Sequence, residues 1–225
     1  VVALVFAGAT LRVTEWAAIR GYGLLRVVEP GPVAGTVAAL VLMDGWMYAW
    51  HRLNHRVPLL WRFHAVHHAD AEMDATSGVR FHTGEIVLSS LARLLVLPLL
   101  GLSVQQVLLY ETVLLPVVLF HHSNVRVPAA VDRALRMVIV TPWMHWVHHS
   151  EWRPETDSNF ASVFSFWDRL LGTFRLRERP RDIRLGLGLR DEHAWRSLPG
   201  MLAMPFRPRP DDGGAADAPA PVPPS

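Results

Sequence analysis

Five of the twelve histidines in this 225-residue chain fall within HRLNHRVPLLWRFHAVHH, residues 51–68. His51 and His55 are four apart, and His64, His67 and His68 follow with spacings of three and one. Residues three or four apart share a helix face, so each set can aim its imidazoles in one direction. Pro58 disfavours helical backbone at Val57, which predicts that the two sets project from separate helices across a short connection. Two more sets follow: His121 with His122, then His145, His148 and His149, which repeats the HxxHH spacing. A lone histidine on an apolar face is ordinarily a packed residue, but ten at repeated spacing are a different case. Neutral imidazole is a ready nitrogen ligand for zinc, copper, iron or nickel, whereas ten imidazolium charges packed together would repel. Ten rings exceed what one ion can coordinate, so the pattern predicts a polyhistidine site for two metal ions.

Taken in order, HRLNH, LWRFHAVHH, FHHSNVRVP, MHWVHHS and FWDRLLGTF resemble the motifs of the fatty acid hydroxylase/sterol desaturase superfamily of membrane-bound di-iron oxygenases. The resemblance runs from about Asp44 to Phe174, more than half of the chain. It implies two Fe ions that use O2 as co-substrate to oxidise an unactivated C–H bond of a fatty-acyl or sterol-like lipid. The metal-ligating and catalytic set it implies is His51, His55, His64, His67, His68, His145, His148 and His149. In the middle pair His122, directly before Ser-Asn, is favoured, and His121 stays open as a further ligand. The family's His-Pro is replaced here by His82-Thr83, which leaves His82 between support of the site and a surface role. In the closing motif Asp157 or Asn159 would hold ligand rings and Trp167 would pack, while Asp168 with Arg169 reads as a local ion pair. Hydroxylation, desaturation and ether cleavage share this ligand set, and hydroxylation is the favoured reading. A membrane protein that binds metal without oxidation is the alternative from another class; only Asp44, Arg93 and Glu111 are ionisable within apolar stretches, which makes transport the lesser reading. Zn binds nitrogen sites more tightly than ferrous iron does, so Zn in a preparation would not refute an oxygenase.

Composition narrows the partners. Hydrophobic residues make up 51% of the chain, the net charge is +2 and mean hydropathy is +0.20. Every basic residue other than histidine is arginine, spread between apolar stretches, and no nucleic-acid motif is present. The lack of cysteine excludes disulfides, iron–sulfur ligation and thiolate zinc sites. No dinucleotide or flavin fingerprint occurs, so electrons would come from an external ferredoxin- or cytochrome-type protein.

The elements that must position the histidines follow from the apolar runs. VVALVFAGAT stops at Arg12, short of the roughly 20 apolar residues of a membrane span, and reads as the end of a helix; residues 11–32 read as a polar connection. Val33–Trp50 holds one charge, Asp44, and predicts a spanning helix that delivers His51. Asp44 lies two turns before His51 and would share its face, which predicts support of a ligand ring. Ile86–Phe120 holds only Arg93 and Glu111 as charges and predicts a helical hairpin turning near Gly101. Its two ends return to one side, which brings His121 and His122 level with residues 51–68. VDRALRMVIV predicts an amphipathic interfacial segment. Arg52, Arg56, Arg62 and Arg80, with ten arginines between Arg126 and Arg184, outweigh three between Arg12 and Arg26, which places the histidine side in the cytoplasm. The expected fold is thus all-α: an integral membrane helical bundle whose cytoplasmic helical cap carries a polyhistidine di-metal site. Its expected divisions are 1–32, an N-terminal helix remnant and loop; 33–180, the catalytic domain; 181–204, a C-terminal segment; and 205–225, a disordered tail.

Overall fold

A computed structural model describes residues 2–178, 182–188 and 197–207. Its longest element, α3 (Pro32–Arg56), begins with proline in its first turn, where the missing amide hydrogen costs nothing. It ends at Val57, whose extended backbone precedes Pro58. Twenty-five residues make a helix of about 37 Å. That exceeds a hydrocarbon core of roughly 30 Å, so the last turns, with His51 and His55, can stand clear of it.

The hairpin is α5 (Thr83–Leu100) and α6 (Val104–His122). Gly101 closes α5 in the left-handed region, φ 73°, and Ser103 opens α6 through a capping box with Gln106. Helices α3, α5 and α6 are each long and apolar enough to cross a membrane. Their shared core contains Ala39, Met43, Leu97, Tyr110 and Val163.

Three stretches differ from the sequence expectation. The N-terminal helix, α1 (Val2–Ile19), continues through Arg12 and Glu15 and packs along α5. Both charges are exposed while Thr10, Thr14 and Ala17 are buried, so they occupy the opposite face and do not stop the helix. A short helix, α2 (Leu24–Val28), lies within what reads as a polar connection. The interfacial segment also stops early: α7 covers Ala129–Leu135, and the β-branched residues after it extend against the closing motif, with Val140 N–H donating to Val163 O at 2.9 Å. The described residues otherwise hold only isolated β-bridges, Ile139 with Phe164 and Ser150 with Leu185.

The cap is built from short pieces: α4 (Pro58–His64), α8 (Pro142–His148), α9 (Arg153–Thr156), α10 (Phe166–Leu170) and α11 (Leu198–Ala203). Met204 packs against Trp61, Ala65, Val66 and Ala69 beside the first histidine stretch. Pro205 is buried too, so packed chain passes the expected boundary at 205; the rest of the expected tail, 208–225, lies outside the described residues, as does His193.

One close approach joins α1–α2 to the hairpin. Gly23, at φ 106°, sits so near the hairpin turn that a Cβ would lie 2.3 Å from Gly101 N and from Pro98 O. Gly23→Ala should therefore cost roughly 1–3 kcal/mol from backbone strain, with the clash in addition, and lower the thermal midpoint in detergent. Gly8→Ala, with open space around its Cβ, should not lower it; equal midpoints for the two variants would refute this packing.

Candidate metal centre

The histidines converge into two groups. His51 and His55 come from the end of α3, His64 from the last residue of α4, His68 from the 3-10 turn His67–Ala69, and His148 from the end of α8. One ring nitrogen from each lies within 4.8 Å of the others. The second group is His67, His122 at the end of α6, and His145 and His149 of the α8 end, under the same limit. Each HxxHH motif is divided: the first sends His64 and His68 to one group and His67 to the other, and the second sends His148 across in the opposite sense. In both motifs the rings four apart, His64 with His68 and His145 with His149, stay in one group, and the ring three on from the first, His67 or His148, goes to the other.

Ring orientation is set through Nδ1. His51 Nδ1–H donates to Phe160 O at 2.9 Å, His148 to Ser158 O at 2.7 Å, His122 to Val118 O at 2.8 Å and His67 to Arg80 O at 3.3 Å. A carbonyl can only accept, so these rings carry their proton on Nδ1 and keep the Nε2 lone pair. His64 Nδ1 meets Glu85 Oε1 at 2.7 Å. His55 Nδ1 lies 3.4 Å from Asp157 Oδ1, and the other oxygen of Asp157 accepts from Arg153 Nε at 2.8 Å.

Whether metal fits can be judged from the nitrogens left over. Nε2 of His51, His55, His64, His68 and His148 is buried without a hydrogen-bond partner. In the second group, His122 Nε2 lies 3.2 Å from His67 Nε2 and 2.9 Å from His145 Nε2. Since His67 and His122 both carry their proton on Nδ1, that 3.2 Å contact sets lone pair against lone pair, an arrangement that a cation between them relieves. Adjacent ligands on an ion with bonds of about 2.1 Å would stand about 3 Å apart. The donor set therefore fits two metal ions, and an all-nitrogen set suits iron, zinc or copper.

Burial keeps the rings neutral. It pushes His67, His68, His145, His148 and His149 well below the ordinary value of 6.5, and neighbouring imidazoles add to the effect.

Other residues singled out in the sequence stand outside the two groups. His121 stacks on His145 with ring centroids 4.1 Å apart, and neither of its nitrogens has a hydrogen-bond partner. His82 caps α5, its Nδ1 accepting from Gly84 N–H at 2.9 Å. Asp44 accepts from Tyr110 Oη at 2.7 Å and from the amides of Val163 and Phe164 at 3.1 and 2.9 Å. Its bonds thus tie α6 and the closing segment to α3, in place of the expected bond to a ligand ring. Asn159, in left-handed backbone, donates to Met144 O and Arg175 O and so anchors α8 just before His145.

Glu85 is the residue that sequence reasoning passed over, and Asp168 has a different role from the ion pair expected of it. The signal available for Glu85 was an acid in the first turn of an apolar helix, where it is buried at 6% exposure. Asp168 makes no ion pair with Arg169; its carboxylate accepts from the amides of Phe160 and Ala161 at 2.7 and 3.1 Å and from Thr173 Oγ1 at 2.8 Å. Burial pushes it up to about 6 against those hydrogen bonds. It fixes the peptide whose carbonyl holds His51.

Fold and site together define an all-helical protein of membrane type with a histidine centre suited to two ions. The model of the family described as fatty acid hydroxylase matches residues 36–173, and the chain belongs to that family. It is 32% identical over 151 residues to ornithine lipid hydroxylase OlsE of Rhizobium tropici, covering 67% of this chain and 45% of that protein. To human cholesterol 25-hydroxylase it is 29% identical over 143 residues, 63% of this chain and 51% of the other. To human alkylglycerol monooxygenase it is 29% identical over 142 residues, 61% and 30% respectively. The chain thus spans about half or less of the length of these relatives. No solved structure matches it.

Two outcomes follow. Glu85→Ala should weaken metal binding about 10–100-fold, and Glu85→Gln, which keeps an acceptor for His64, should retain part of it; metal titration that finds both variants unchanged would refute the role. The second concerns pH. Unfolded rings titrate at 6.5 and the folded ones well below it, so the unfolded chain binds more protons in acid. Stability of the metal-free protein should be full above 6.5 and decline as pH falls below it, by up to about 1.4 kcal/mol per pH unit for each such ring. A thermal midpoint equal at pH 7.5 and 5.5 would contradict this.

Proposed function

We propose that this chain is a membrane-bound di-iron oxygenase that uses O2 and external electrons to hydroxylate a C–H bond of a lipid. The observation that carries this reading is the division of both HxxHH motifs between two buried, all-nitrogen groups. Membership of the fatty acid hydroxylase family supports it, as does similarity to proteins named lipid hydroxylase, cholesterol hydroxylase and alkylglycerol monooxygenase. Two of these three names are hydroxylases, so hydroxylation is preferred to desaturation or ether cleavage.

The ligands are His51, His55, His64, His68 and His148 for one iron and His67, His122, His145 and His149 for the other. When bound, the irons supply the activation of O2 and the oxidation of the C–H bond. The chain supplies the surroundings. Carbonyl and carboxylate partners on Nδ1 keep the rings from swinging, and neutral nitrogens leave the positive charge of the ions undiminished. The Phe160 ring, edge-on to His51, His55 and His148, forms an apolar wall that excludes water beside the first group. The sequence carries no dinucleotide or flavin fingerprint, so electrons enter from a ferredoxin- or cytochrome-type partner. Arginine asymmetry supports a cytoplasmic histidine side, facing such a partner.

Protein made in iron-supplied cells and purified without oxygen should carry two irons per chain with a coupled Mössbauer signal. With O2 and an electron donor it should add oxygen to a lipid, read by mass spectrometry. His51→Ala and His148→Ala should each lose iron and turnover, and a variant that kept both would overturn the assignment. Protein that takes up no iron on reconstitution would instead support the non-catalytic, metal-binding alternative.

A further inference from the structure

A groove of about 580 Å³ runs along the outer face of α3, beside the face that carries His51 and His55. Its floor is sunk by two small residues four apart, Gly45 and Ala49. Trp167 and Leu171 form the opposite wall. Gly45 is required for this shape, since a Cβ there would meet the Trp167 ring at 2.8 Å. The volume falls within the range of small-molecule sites, about 300–1,000 Å³.

Polarity along the groove is graded. At the deep end is Leu42, inside the membrane-crossing stretch; at the other end are Arg52 and Arg56, one turn apart at the level of the histidines. From Leu42 to Arg56 is about 21 Å along the helix. Neither guanidinium has a carboxylate partner among the described residues, whereas Arg80, Arg93, Arg136, Arg153 and Arg177 all do. Arg52 meets the Tyr48 side chain but no carboxylate, so an apolar trough ending in two cations is complementary to a lipid with an apolar chain and an anionic head. Guanidinium groups bind phosphate through paired hydrogen bonds.

We propose that this groove is a docking site for a membrane lipid with an anionic phosphate head, its acyl chain against Gly45, Ala49 and Trp167 and its head on Arg52 and Arg56. This goes beyond the oxygenase reading and stands independently of turnover. The site adjoins the metal centre, because Tyr48 lines the groove and packs edge-on against Phe160.

Native mass spectrometry of the full chain in detergent, with phosphatidylglycerol and phosphatidylcholine of identical acyl chains, tests it. Wild type should retain phosphatidylglycerol in preference. Arg52→Ala/Arg56→Ala should lose that preference about tenfold or more, as expected for charge-assisted bonds, and Ala49→Leu, which raises the groove floor, should reduce retention of both lipids. Inorganic phosphate should not displace the bound lipid. Arg126→Ala/Arg133→Ala removes exposed charge elsewhere and should retain lipid as wild type does. Equal retention of the two lipids by wild type would overturn the proposal. So would unchanged retention in the Arg52/Arg56 variant, or an equal loss in the Arg126/Arg133 variant, which would assign the effect to general surface charge. Size-exclusion profiles and thermal midpoints establish that the compared variants are folded.

Discussion

Nine imidazoles converge in two groups, and the four whose Nδ1 protons go to carbonyls, His51, His67, His122 and His148, turn their Nε2 lone pairs inward, a repulsive arrangement when no cation is present. Desolvation keeps protons off His67, His68, His145, His148 and His149 among them, so these rings do not relieve the crowding by charging. The remainder of the cap can be understood as what holds this arrangement together. Carbonyls of Val118, Arg80, Ser158 and Phe160 take the Nδ1 protons. Buried acids then hold the backbone that supplies one of those carbonyls: Asp168 takes the amides of Phe160 and Ala161, and Asp44 takes those of Val163 and Phe164. The segment 159–164 makes few bonds with itself and is shaped by side chains from α3 and α10.

This explains why acids of similar appearance have different roles. Glu85 faces a ring directly, Asp157 approaches one while held by Arg153, and Asp44 and Asp168 act one peptide further out. Glu111, in contrast, is partnered by Arg93 across the hairpin, far along α6 from the histidines. An ion pair there lets two apolar helices carry charge through the membrane without exposing either group alone.

The helices were legible in the sequence because apolar runs and prolines are local signals. Pro32 and Pro58 bound α3, and Gly101 marks the hairpin turn where it lies in the structure. The converging histidines were legible as a set because histidine repetition is rare and its spacing regular. Their partition between two groups was not, since residues three and four apart share a helix face and only the packing of α3, α6 and α8 against one another decides which ring meets which. Nor could the sequence separate Asp44, placed two turns before His51, from an acid that touches a ring: that distinction rests on Tyr110 and Phe164, which are 66 and 120 residues away along the chain. The same holds for Glu85, whose partner His64 comes from another element.

The crossing of the two HxxHH motifs ties the two groups to one another mechanically. Each group draws rings from both motifs, so neither short helix can shift without moving rings of both groups at once, even though no ring belongs to both. The two positions are thus set by one piece of backbone and not by two independent ones.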